Sequence, residues 1–167
     1  MNTNYGTVKF AFYEPKWNDF FGQAIAWYTR LFNWGAKNYS HVEIGLKING
    51  EWAWYSAASK ADKPDTTCTR WISPAKLFVH PERWNIIEVY AQRPYLDMIE
   101  TAEAEKDKPY DWSGIFSFIE PFSSLNNKNK WYCSEICEYV FYGKWTRRIS
   151  PERLSTRIIP YNILPTD

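Results

Sequence analysis

The stretch "SHVEIGLKINGEWAWYSAAS", residues 40–59, constrains the fold more than any other part of the chain. Asn49-Gly50 lies between two alternating runs, and both central residues of a type I′ turn need positive φ, which Asn and Gly adopt at least steric cost. A two-residue loop sets the register. Ile48 then faces Glu51, Leu46 faces Ala53, Ile44 faces Tyr55, and Glu43 faces Ser56. Because side chains alternate along a strand, one face carries Val42, Ile44, Leu46, Ala53, Tyr55 and Ala57, which is a core face. The other carries His41, Glu43, Gly45, Lys47, Trp52, Trp54 and Ser56.

That second face is too polar at one end for core and too aromatic at the other for a featureless exterior. His41 and Glu43 are same-face neighbours, with Ser56 opposite Glu43 and diagonal to His41, so imidazole, carboxylate and hydroxyl can converge. A histidine oriented by an acidic or hydroxyl partner is what a general base requires. An ordinary surface strand with an exposed His and Glu explains the same residues without chemistry.

Elsewhere the pattern is mixed. Val8, Phe10 and Phe12 in "TVKFAFYE" have the period of a half-buried strand, and "RWNIIEVY" reads as another. Phe20, Phe21, Ala24, Ile25, Tyr28, Leu31 and Phe32 recur at helical spacing between Asn18 and Phe32. "RPYLDMIETAEAEKDK" reads as a helix with Pro94 near its first turn and Tyr95, Met98, Ile99 and Ala102 on one face. Ser73-Pro74 and Ser150-Pro151 have the form of helix N-caps. No internal repeat is visible, and 167 residues fit one α+β domain over 1–167, long enough to bury a core without disulfides.

Two of the three cysteines fall in "KWYCSEICEYV", residues 130–140. Cys133, Ile136, Cys137, Val140 and Phe141 define an amphipathic helix that Gly143 ends. Small buried apolar packing accounts for Cys137. Cys133 is placed differently: it follows the polar loop "PFSSLNNKNK" and lies in the first turn, where free N–H groups and the positive end of the helix dipole favour a thiolate. The same amides suit an oxyanion. Buried packing explains Cys133 as well, on the helix pattern alone. Metal binding is disfavoured, because Cys133 and Cys137 lack the C-x2-C spacing and His41, His80 and Cys68 are scattered.

Charge narrows the partners. Lys and Arg are interspersed with Asp and Glu, and the net charge is +1, so no extended field collects nucleic acid or anionic lipid. No apolar run approaches the roughly 20 residues that span a bilayer, and "MNTNYGTVKFAFYEP" lacks a signal-peptide pattern. Three cysteines without a disulfide framework fit reduced thiols, so the expectation is a protein that is cytoplasmic as synthesised.

"YSHVEIGL", "YSAAS", "KPYDWSGIFSF" and "WYCSEICEYV", in that order, resemble the circularly permuted branch of the NlpC-type, papain-like cysteine hydrolases. The likeness is closest to YiiX-like members and to small proteins carried by phages and prophages, and it runs from about Asn38 to Leu154. It implies a central antiparallel sheet or half-barrel with the nucleophile helix packed against it. Cys133 would be the nucleophile and His41 the base, with no cofactor. Relatives often carry Glu on the second hairpin strand, about where this chain has Ser56, so the third catalytic residue is Glu43 or Ser56. Tyr110 and Asp111 match a "YD" element, which gives Tyr110 a cleft or oxyanion role; a Pro-Tyr-Asp turn with Asp111 as N-cap explains both residues structurally. Tyr132 and Trp54, with Trp52 and Trp131, are candidate cleft walls.

The implied reaction is hydrolysis of an amide in a small peptide or a peptidoglycan fragment. An acyl substrate of lipid or ester type is the alternative within this fold. A degenerate phage protein, acting as a virion component or a binder of a host protein, is the non-enzymatic alternative, and it extends the location to the host cytoplasm or the virion.

Overall fold

The computed structural model describes residues 6–15, 39–58, 68–111, 129–144 and 149–163. The expected helix between Asn18 and Phe32 lies outside them, as does most of the loop before Cys133. The fold is α+β. Strands β1 (Thr7–Tyr13), β2 (His41–Ile48), β3 (Glu51–Ala58), β4 (Cys68–Ile72) and β5 (Trp84–Tyr90) form one five-stranded antiparallel sheet in the order β4-β3-β2-β1-β5. The helices are α1 (Pro74–Leu77), α2 (Tyr95–Ala104), α3 (Cys133–Tyr142) and α4 (Pro151–Ile158). Among the described residues no helix is long and apolar enough to cross a membrane.

The hairpin forms in the register that its turn dictates. Asn49 and Gly50 have φ of 51° and 88°, and the ladder runs from Ile48↔Glu51 to Ile44↔Tyr55. There it stops, which corrects the expectation that Glu43 and Ser56 are ladder partners. Past Ile44, β2 stays with β1 through Tyr13↔His41, while β3 stays with β4 through Ala58↔Cys68. The carbonyl of Val42 is taken by a side chain: the Ser56 hydroxyl donates to it at 2.7 Å.

Val8, Phe10, Phe12, Val42, Ile44, Leu46, Tyr55 and Ala57 are buried on one face, under α3 and α2; Ala53, nearer the turn, is only half-buried. Helix α3 packs on β2 and β3 through Ile136, Cys137, Val140 and Phe141. Gly143, at φ 68°, closes it by donating its N–H to the Tyr139 carbonyl at 2.8 Å. Its polar side is covered too, since Ser134 donates to the Ile149 carbonyl and Arg157 pairs with Glu138. Ser150 caps α4 by accepting from the Arg153 N–H at 3.2 Å, whereas Ser73 precedes α1 without a side-chain cap.

The opposite face is not the open surface that its polarity implies. Phe78, just after α1, meets Trp54 edge-on at 5.0 Å and Trp84 at 5.7 Å, so aromatic side chains span this face from β3 to β5, and Glu43 is fully buried. Helix α2 ends at Ala104, short of the expected end of its segment at Lys108. Asp107 turns at φ 63°, its N–H donates to the Thr69 carbonyl, and the Thr69 N–H donates to Lys108, so this stretch is drawn to the edge of β4.

Trp54 lies flat over Gly45, where an added Cβ would stand 3.0 Å from the indole ring. Gly45→Ala should therefore destabilise the protein by about 1–3 kcal/mol, the range for overpacking a filled core. Urea unfolding measures this, and an unchanged midpoint would show that Trp54 yields without cost.

Candidate active site

His41 opens β2 and Cys133 opens α3, and the packing of α3 on β2 and β3 brings the two together within hydrogen-bond reach. His41 Nε2 donates to Glu43 Oε1 at 2.8 Å, which leaves Nδ1 for the sulfur. The side chain of His41 is 22% exposed, while that of Glu43 is 0% exposed, so the imidazole stands at the boundary between solvent and a buried carboxylate.

A buried carboxylate needs a reason to stay charged. Burial is the largest influence on Glu43 and pushes its pKa up, but the Arg70 charge and the hydrogen bond from His41 outweigh it and hold the carboxyl below its usual range. Arg70 Nη2 donates to Oε1 at 2.9 Å, Nη1 to Oε2 at 3.3 Å and to the Ser56 carbonyl at 3.4 Å. Burial is likewise the largest influence on His41 and acts against its charged form. A thiolate at Cys133 and the Glu43 carboxylate act the other way and carry the imidazole up to about 9.

Tyr132 occupies the N-cap position of α3 at φ −88° and ψ 153°, and its side chain caps nothing there. Its ring meets that of Tyr110 at 5.9 Å. Burial first, then a charge on Cys133, pushes both phenols well above their usual range, so both are donors at any ordinary pH. Asp111 is fully buried, with its N–H on the Trp131 carbonyl at 2.9 Å; a helix capped by it would lie outside the described residues.

Of the residues singled out by sequence, Cys133, His41, Glu43, Tyr110 and Tyr132 thus share one locality. Ser56 does not join the imidazole: its hydroxyl is committed to Val42, with Cys137 Sγ 3.8 Å away on the α3 side. Trp54 is excluded as a cleft wall. It is 2% exposed and pairs with Gly45, four residues along β2 from His41. Arg70 carries no signal in the sequence before β4 is paired; opposite Ser56, it falls on the Glu43 face. Cys137 is packing, with Sγ 3.6 Å from the Val42 carbonyl and a thiol pushed well up by burial.

Among the described residues, no group of three or more His, Cys, Asp or Glu side chains is arranged to hold a metal ion. The groups present suit proton transfer between a thiol and an imidazole, with the first-turn amides of α3 and two phenols beside the sulfur. No family model and no curated protein matches the chain.

Arg70→Met should cost about 3 kcal/mol, because it strands a buried carboxylate. Adding Glu43→Gln should restore part of that loss. A double-mutant cycle from urea unfolding gives the coupling, and strict additivity would mean that the pair does not act as a unit.

Proposed function

We propose that this chain is a thiol hydrolase of peptidase or amidase type, built on a circularly permuted papain-like domain. One observation carries the reading: the His41 ring is held between Cys133 and a carboxylate that Arg70 keeps ionised. His41 takes the Cys133 proton on Nδ1, and the thiolate attacks the carbonyl carbon of an amide. The oxyanion is met by the N–H of Cys133 in the first turn of α3 and by the phenols of Tyr110 and Tyr132. As the C–N bond breaks, His41 returns the proton to the leaving amine, and a thioester remains on Cys133. Water then attacks the thioester with His41 as base, the C–S bond breaks, and the proton returns to sulfur.

Glu43, not Ser56, is assigned the orienting role, because only Glu43 bonds the imidazole while Ser56 is engaged with Val42. This supports a departure from the pattern of the relatives in which the acidic residue has moved to the strand that bears the histidine. It also favours chemistry over the binding-only reading, because Glu43 supplies the acid that relatives carry near the position of Ser56. The resemblance makes small peptides and peptidoglycan stems the leading substrates, with no cofactor.

Iodoacetamide should alkylate Cys133 faster than Cys137 and Cys68, with the advantage lost in His41→Ala. Hydrolysis should disappear in Cys133→Ala and fall by about 10²-fold or more in His41→Ala. Because the imidazolium persists up to about 9, activity should decline as pH rises through that value, where the leaving amine loses its proton donor. Glu43→Gln removes a charge that favours the imidazolium, so this limb should move to lower pH. Equal labelling of all three thiols, unaffected by His41→Ala, would overturn the reading.

A further inference from the structure

Beside His41 lies a surface that the chemistry above does not use. Tyr13 is the ladder partner of both His41 and Trp84, so the three stand in a row across β2, β1 and β5 on one face of the sheet. The Trp84 ring is 6.2 Å from the imidazole, and the Tyr13 ring is 5.1 Å from Trp84. Arg83, immediately before β5, extends its guanidinium over Tyr13 at 5.3 Å from the ring centre and donates from Nη1 to the Tyr13 hydroxyl.

Arg83 differs from the arginines around it. Arg70 faces Glu43, Arg93 faces Asp97 and Arg157 faces Glu138; among the described residues Arg83 and the exposed Arg153 have no carboxylate partner, and of these two only Arg83 is half-buried, with a buried Nε that makes no hydrogen bond. A half-buried guanidinium has a planar fork suited to a carboxylate, and desolvating it without a counter-ion is costly.

The position of this shelf gives it a role. Helix α3 packs on β2 and β3, whereas the shelf stands on β1 and β5, so His41 separates Cys133 from Tyr13, Trp84 and Arg83. His41 must deliver its proton to the leaving amine, so the leaving group lies on the His41 side of Cys133, which is the side on which the shelf stands. We infer that the Tyr13–Trp84 shelf is the leaving-group subsite and that Arg83 binds a carboxylate carried by the leaving amine. The inference rests on the thiol-hydrolase reading and narrows its substrate class. Arg83 lies over the ring of Tyr13, and Tyr13 stands on the strand next to His41, one sheet spacing of about 5 Å away. An extended residue spans about 3.5 Å, so the carboxylate belongs to the first or second residue beyond the cleaved bond. The substrate is thus a chain that ends there in a free acid, and the action is that of a carboxypeptidase releasing an amino acid or a dipeptide.

The test uses two libraries of N-acetylated peptides, degenerate in sequence and identical except for a C-terminal carboxylate or carboxamide, with products read by mass spectrometry. Wild type should cleave the acids at least about tenfold faster than the amides, and within two residues of the end; a tenfold ratio is about 1.4 kcal/mol. Arg83→Gln should bring the two rates together, and Arg83→Lys should keep part of the preference. The ratio is internal to each variant, so a smaller folded fraction does not alter it. Equal cleavage of acids and amides by wild type, a preference that survives Arg83→Gln, or cleavage remote from the end would overturn the inference and leave the hydrolase reading standing. So would cleavage of neither library by a protein whose Cys133 labelling depends on His41. Labelling that does not depend on His41 would overturn both.

Discussion

The contact on which this arrangement depends is the pairing of Glu43 with Arg70. A carboxylate with no exposure would ordinarily take up a proton, and a neutral acid could no longer favour a charged imidazole. Arg70 prevents this from two strands away, through both oxygens of the carboxylate. Oε1, which also accepts from Arg70 Nη2, fixes Nε2 of His41 and so turns Nδ1 toward α3. Sheet order, the burial of one acid and the orientation of one ring are thus a single problem with one solution.

The parting of β2 from β3 is the second part of that solution. Ladder bonds end at Ile44 and Tyr55, and beyond that point Ser56 Oγ and Cys137 Sγ both lie close to the Val42 carbonyl, between His41 and Glu43. Ser56 approaches from the hairpin, and Cys137 from the helix that carries Cys133. The residue that resembled a catalytic hydroxyl thereby has a structural use, closing the gap where the strands separate.

How far the sequence revealed this follows from range. The turn register was legible because Asn49-Gly50 admits little else, and so was α3, whose apolar spacing and terminal Gly143 are local signals. His41 with Glu43 was legible because residues two apart on a strand share a face. What depended on a third strand was hidden. Alternation predicts that Glu43 meets Ser56 for as long as the strands stay together, and only the competing partners β1 and β4 draw them apart. Arg70 and the layer of Trp54, Phe78 and Trp84 likewise come from segments distant in sequence. Trp54 was assigned to a cleft because composition cannot separate a wall from a roof.

The turn at Asp107–Pro109 has one more consequence. It bonds to Thr69 and bridges Cys68, covering the edge of β4 at the end of the sheet where His41 stands. An extended peptide cannot add there as a further strand, so backbone-ladder recognition, the usual sequence-tolerant source of affinity for peptides, is blocked at that edge. On the proposed hydrolase reading, recognition at this end of the sheet falls to side chains and chain ends rather than to a backbone ladder.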